Sequence, residues 1–265
     1  MFLIIKRLWH VNWAEQWQYR ANLIMYLLYW LVSPIIYLAV WTSIANVKGE
    51  VNGFTANDFI TYYMLLLVVD QITSNIVIHT FGYKIQDGSL SGELIKPIHP
   101  MLTNALVNNV AFKMLTIMGL VPIWIILFFL YKPDFSSASL AGILLAIPAM
   151  LLAFFIGYLL SAAITALAFW TTRVYSIHEF YFALILLFSG QFVPLTLMPQ
   201  VIQDIAQYLP FQLLIYYPIQ LILGRLSIEQ IIHGYVMSFV WLGIALLFFN
   251  WVWRNGVKRY SAVGA

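Results

Sequence analysis

PQVIQDIAQYLPFQLLIYYPIQLILGRLS, residues 199–227, decides how many times this chain crosses a membrane. Its second half is apolar enough to pass for a span. Pro199, Pro210 and Pro218, however, cut it into pieces too short to traverse about 30 Å of hydrocarbon as one helix. The basic residues on either side argue the same way. With six crossings elsewhere and a cytoplasmic N-terminus, Lys6, Arg7, Arg20, Lys84, Lys96, Arg173, Arg254, Lys258 and Arg259 lie inside. Lys48, Lys132 and Arg225 lie outside, and Lys113 is within a span. A seventh crossing would move Arg254, Lys258 and Arg259 outside and erase the asymmetry. The positive-inside rule therefore predicts six crossings. Residues 199–227 then become a broken segment that enters the outer leaflet and returns, which irregular backbone can do only when protein buries it.

The rest of the chain agrees with a membrane setting. Its 265 residues are 63% hydrophobic, 17% aromatic and only 9% charged, with a mean hydropathy of +0.87. A soluble domain needs roughly 25% charged residues to cover its surface. The expected fold is an all-α polytopic membrane protein forming a single domain over 1–265. Spans of about 20 apolar residues are predicted at 23–45, 59–80, 104–131, 140–170, 178–197 and 230–253. The fourth is longer than one perpendicular crossing requires and should tilt, bend near Pro148 or project beyond the bilayer. Ahead of the first span, Trp9, Trp13 and Trp17 recur every four residues among Lys6, Arg7, His10, Glu15 and Arg20. Residues 1–20 therefore read as a helix lying along the cytoplasmic interface, with a plain extension of the first span as the alternative. The first residues are apolar before they are charged, which predicts no cleaved signal peptide.

Most chemistry is excluded by what the chain lacks. There is no Cys, hence no disulfide and no thiolate site. His10, His79, His99, His178 and His233 are too scattered to suggest a metal site. No Gly-Lys pair occurs, so the phosphate-binding loop of an ATPase is missing and no cofactor is expected on this chain. The net charge of +3 reads as topology, because no basic cluster exists to follow a nucleic-acid backbone. Ser189-Gly190 and His233 raise an intramembrane serine protease. Leu187 stands where such enzymes carry Gly, and a small-residue helix contact is the simpler reading. Asp70 and Lys113 each lie roughly 15 Å deep, at about 1.5 Å per residue, where an unpaired charge costs at least about 2.5–3.5 kcal/mol. They are expected to pair, with Asn108, Asn109, Gln71 and Asn75 completing a polar network. An ion relay in a secondary transporter is the functional alternative.

The most distinctive stretch is the cytoplasmic loop 82–103, which opens GYKIQDGSLSGELIKPIHP (82–100). Gly88, Gly92, Pro97 and Pro100 punctuate it, and Leu90, Leu94 and Ile95 are expected on one face of a short helix. Such a stripe is either pressed on the membrane or docked in a partner's groove. The run from Asp87 to Ile98 resembles the coupling segment of type-2 ATP-binding-cassette exporter permeases, closest to a small six-span bacterial family of transport-system permeases.

That resemblance implies two permeases, identical or different, each engaging a separate ATPase subunit that holds ATP and Mg. Asp87, Gly88, Leu90, Gly92, Glu93, Leu94, Lys96 and Pro97 would form the coupling helix. The elbow bearing Trp9, Trp13 and Trp17 would assist, and Thr171, Thr172 and Arg173 would add a second contact. Residues 191–217 would cap the outer mouth of a path lined by the first, second and fifth spans. Trp30, Tyr37, Gln191, Phe192, Tyr216 and Tyr217 are its candidate residues, and their character suits a lipid-like, drug-like or peptide amphipath. The implied location is the bacterial cytoplasmic membrane, with both termini cytoplasmic.

Overall fold

A computed structural model describes residues 2–101 and 105–260. Residues 102–104, where the expected loop 82–103 meets the third span, lie outside the described residues, as do 1 and 261–265. Two helices open the chain, α1 (Phe2–Gln18) and α2 (Arg20–Lys48), separated at Tyr19, where the backbone leaves helical geometry. Next come α3 (Ala56–Thr73), α4 (Val77–Gln86) and the single turn α5 (Ser91–Leu94). The long α6 (Leu106–Tyr131) and α7 (Leu140–Ala166) follow, then α8 (Val174–Phe188). Three short helices, α9 (Gln200–Ala206), α10 (Phe211–Leu214) and α11 (Tyr216–Ile222), lead into α12 (Ile228–Val257). The starts are written in the sequence. Thr55 with Asp58 and Ser227 with Gln230 form capping boxes, and the Ser139 hydroxyl accepts from the Gly142 N–H at 2.9 Å.

Four helices are long and apolar enough to cross a bilayer: α2, α6, α12 and α7 with the 3-10 turn that prolongs it to Phe169. They coincide with the first, third, fourth and sixth expected spans. Pro148 sits inside α7 without ending it. The second and fifth expectations need correction. Residues 59–80 are not one helix: α3 stops at Thr73, Ser74 is extended at ψ 170°, and α4 begins only at Val77. The expected span 178–197 ends at Phe188 because Gly190 takes φ +84°, a conformation that closes a helix. At 15 residues, α8 reaches only about 22 Å. Ser189-Gly190 is thus a helix stop that also packs closely on α3. A Cβ at Gly190 would also sit 2.6 Å from the Tyr62 hydroxyl.

Irregular backbone from Ser189 onward is held by side chains of α2 and α3. Tyr62 donates its hydroxyl to the Gly190 carbonyl (2.8 Å), Tyr63 to that of Phe192 (2.6 Å), and the Trp41 indole to Phe192 as well (3.1 Å). The Tyr216 N–H returns to the Ser189 carbonyl at 3.0 Å. This is the internal satisfaction that non-helical backbone needs away from water.

α7 is the spine, packing against α3, α4, α8, α10, α11 and α12. Gly142, Ala146, Ala149, Ala153 and Gly157 form a buried stripe at helical spacing that lets neighbours approach closely. The outward faces are apolar instead: Tyr29, Ile126, Phe129, Leu247 and Trp251 are all largely exposed, as suits a protein solvated by lipid. On α12, Gly234 lies so close to α11 that a Cβ there would overlap the Tyr217 ring. That ring is 6% exposed and its hydroxyl donates to the Ile231 carbonyl at 2.8 Å, so it has no free path aside. Gly234→Ala is therefore expected to destabilise by about 1–3 kcal/mol through overpacking. A lowered unfolding midpoint in detergent is the measurement, and an unchanged midpoint contradicts it.

Contacts define two ends of the bundle. At one, Gln86 bonds the Thr172 carbonyl (3.2 Å), Tyr83 lies against Tyr175, and the Ser91 N–H reaches the Tyr260 hydroxyl (3.2 Å). At the other, Arg225 pairs with Asp58 at 2.5 Å, and the Asp134 N–H donates to Thr61 (3.0 Å).

Candidate functional site

The break after α3 is where the buried polar residues converge. Lys113, 7% exposed on α6, donates to the Gln71 carbonyl (2.8 Å) and to the Ser74 hydroxyl (3.1 Å), with its ammonium 5.6 Å from the centre of the Phe154 ring. A helix C-terminus leaves carbonyls without intrahelical donors and carries the negative end of the helix dipole. Lys113 satisfies both. The expected direct pair with Asp70 is not formed: two of the lysine's three N–H groups go to the end of α3, and no contact ion pair joins it to Asp70. Among the described residues the contact ion pairs are Lys84–Glu93 and Arg225–Asp58, and Asp70 feels Lys113 only through space. The expected network is also divided. Gln71 bonds Thr116, whereas Asn108 donates to Asn12 of α1 at 2.9 Å.

Beside the break lies a cavity of about 200 Å³. α2 contributes Tyr26, Tyr29, Trp30 and Ser33, and the α3 end contributes Asp70, Thr73, Ser74, Asn75 and Ile76. Gly157 and Ser161 of α7 form its back, His178 to Ile185 of α8 its side, and Gln191, Leu214 and Ile215 close it. The Gln191 Oε1 and Asn75 Oδ1 atoms are buried without a hydrogen-bond partner. Of the expected path residues, Trp30 and Gln191 line this cavity. Tyr37 and Phe192 instead meet edge to face at 5.3 Å, Tyr216 packs over Gly190, and Tyr217 is in the core against α12. Glu179 and Ser161 escaped the sequence reading, and His178 was read there only as one of the scattered histidines. An acid inside an apolar run was the available signal for Glu179; Ser161 carries none, since one hydroxyl hardly changes hydropathy.

The loop after α4 is ordered by contacts of its own. Asp87 accepts from the Ser89 N–H (2.9 Å) and hydroxyl (2.7 Å), which hold its carboxyl below the ordinary value. Glu93 turns inward and takes the Lys84 ammonium at 2.5 Å. Leu90 is fully buried in a cluster with Val77, Phe81 and Ile85, and Leu94 packs against the same cluster. The expected single stripe is therefore split, with Ile95 86% exposed. At about 100° per residue, Ile95 lies about 140° from Leu90, and α5 has ended before it. The outward face consists of Asp87, Ser89, Ser91, Gly92, Ile95, Lys96 and Pro97, while Gly88 is buried.

α1 packs along α6. Among the side chains of α1 that are described, Asn12 is the buried one, Trp9 and Trp13 stack at 5.7 Å, and Trp17 is half exposed. Among the described residues no group of His, Asp and Glu is arranged to hold a metal.

These features define a multi-pass helical membrane protein with a polar cavity beside a broken helix and a structured loop at one end. Residues 23–264 match the ABC-2 family transporter protein family, and the chain belongs to that family. It is thereby a transport membrane subunit of a kind that normally works with an ATP-binding subunit. Comparison with curated proteins gives no match. Membership agrees with the permease reading of the loop and lends nothing to an ion-coupled secondary transporter.

Proposed function

We propose that the chain is the membrane subunit of an ATP-driven exporter, carrying a hydrophobic or amphipathic substrate out of the cytoplasm or inner leaflet. A separate ATPase subunit binds ATP and Mg and docks on the outward face of 87–97, with α1 as an elbow at the interface. A second permease, identical or not, completes the transport unit. In this reading the chain crosses the bacterial cytoplasmic membrane six times with both termini inside. α3 and α4 together make the second crossing, and 199–227 is the re-entrant segment.

The observation that carries the reading is mechanical. The loop is fixed to α4 by Lys84–Glu93 and buried Leu90, and to the end of α12 by Ser91–Tyr260. α4 runs from this loop to the Ser74–Ile76 break, which forms part of the cavity wall. A displacement imposed on the loop therefore reaches the cavity through one stiff helix of about 15 Å, and the break supplies the hinge that coupling between distant sites requires. The test is to extract the tagged chain gently from its native membrane. A stoichiometric soluble subunit with a phosphate-binding loop is expected. A chain that comes out alone in several mild detergents overturns the proposal.

A further inference from the structure

The cavity wall carries two carboxylates, and His178 is its one basic side chain. Asp70 is only 8% exposed, and its carboxylate feels burial and Lys113 but accepts no hydrogen bond among the described residues. Lys113 does not line the cavity, two of its three N–H groups go to the Gln71 carbonyl and Ser74 hydroxyl, and it makes no contact ion pair with Asp70, so it offsets that charge at a distance. Glu179 adds a second carboxylate, and no Lys or Arg lines the space. Gln191 is 6% exposed, and its Oε1, like Asn75 Oδ1, is buried without a donor. A buried acceptor without a donor carries a desolvation cost that a bound donor relieves. Trp30 and Tyr181 supply aromatic surface on two sides, which attracts both apolar groups and cations.

We propose that this cavity binds a primary amine in its protonated form, borne on an apolar body. The ammonium lies against Asp70 with its remaining N–H groups toward Asn75 and Gln191, and the apolar part lies on Trp30 and Tyr181. As the identity of a cargo this rests on the exporter reading; as a binding site it is read on the chain alone. A neutral alcohol offers the Asp70 carboxylate only one uncharged donor, and an anion is repelled by both carboxylates. The same ammonium chemistry is offered by a free amphipathic amine and by an ethanolamine lipid headgroup.

The experiment is calorimetric titration of the full chain in phosphatidylcholine nanodiscs with phenethylammonium, 2-phenylethanol and phenylacetate, which share one skeleton, with empty discs subtracted. Phenethylammonium is expected to bind at least about tenfold more tightly than the alcohol, the range of one charge-assisted hydrogen bond, and phenylacetate not detectably. Asp70→Asn should erase the preference for the ammonium while keeping the affinity for 2-phenylethanol, which also reports that the cavity is intact. Should that variant not fold, Glu179→Gln, on an exposed position, is expected to reduce the preference and carries the test. Competition by added phosphatidylethanolamine assigns the amine to a lipid, and lack of competition assigns it to a free molecule; both support the site. Equal affinity for ammonium and alcohol, or a preference unchanged in the folded variant, overturns it. Equal affinity for ammonium and alcohol in the unsubstituted chain, with ATPase recovery intact, removes this inference alone, and the reverse pattern removes the exporter reading alone.

Discussion

Gly92→Glu is expected to abolish recovery of the ATPase subunit with the chain while leaving membrane insertion and thermal stability unchanged. Gly92 is exposed, its φ is not positive, and a Cβ built there meets no atom within 4 Å, so the fold tolerates a side chain. A glutamate on the outward face of the loop adds bulk and a charge that docking would have to desolvate. A central interface position disturbed in this way costs about 2 kcal/mol or more, roughly 30-fold in affinity. Leu94→Asp is a poorer choice, because Leu94 packs on the cluster of Val77, Phe81 and Ile85 and its loss damages the loop itself. Ile95→Glu is the clean companion, since Ile95 is almost wholly exposed. Undiminished ATPase recovery with both Gly92→Glu and Ile95→Glu would take 87–97 out of the contact.

Lys113→Met carries the largest expected cost to the fold. It removes the donors held by the Gln71 carbonyl and the Ser74 hydroxyl and leaves Asp70 buried without a countercharge. Breaking such a buried arrangement from one side costs about 3–5 kcal/mol. Adding Asp70→Asn removes the unanswered charge but does not restore the lost hydrogen bonds. The double variant should therefore recover part of the stability and not all of it. Unfolding midpoints of the two single variants and the double in one detergent decide the matter. A full recovery would mean that the lysine serves only Asp70, and an unchanged Lys113→Met would mean that the break needs no cation.

How much was legible beforehand depended on whether a feature is local. The runs that became α2, α6, α7 and α12 are long and nearly free of charge, so hydropathy alone located them. The prolines of 199–227 marked broken backbone, and the Gly and Pro punctuation of 82–100 marked an ordered loop. The break at Ser74–Ile76 was not legible, since Ser-Asn in an apolar run is compatible with an unbroken helix. Lys113 on another helix ends α3 by satisfying its last turn, and no window over residues 59–80 contains that lysine. The early end of α8 had one local sign, Gly190, but the donors that hold the backbone beyond it are Tyr62, Tyr63 and Trp41, more than a hundred residues away.

The same distinction separates what the chain's composition decides from what its folding decides. A chain with 9% charged residues must be solvated by lipid, because too few charges exist to cover a water-facing surface, and its helical spans follow from satisfying backbone groups without water. The loop run from Asp87 to Ile98 pointed to the permease family that residues 23–264 match. Tertiary structure alone decided which loop residues face outward, where the second expected span breaks, and which acids and amides meet in one cavity. Each of those outcomes depends on hydrogen bonds and close packing between segments far apart in sequence, and such pairings exist only once the helices have come together.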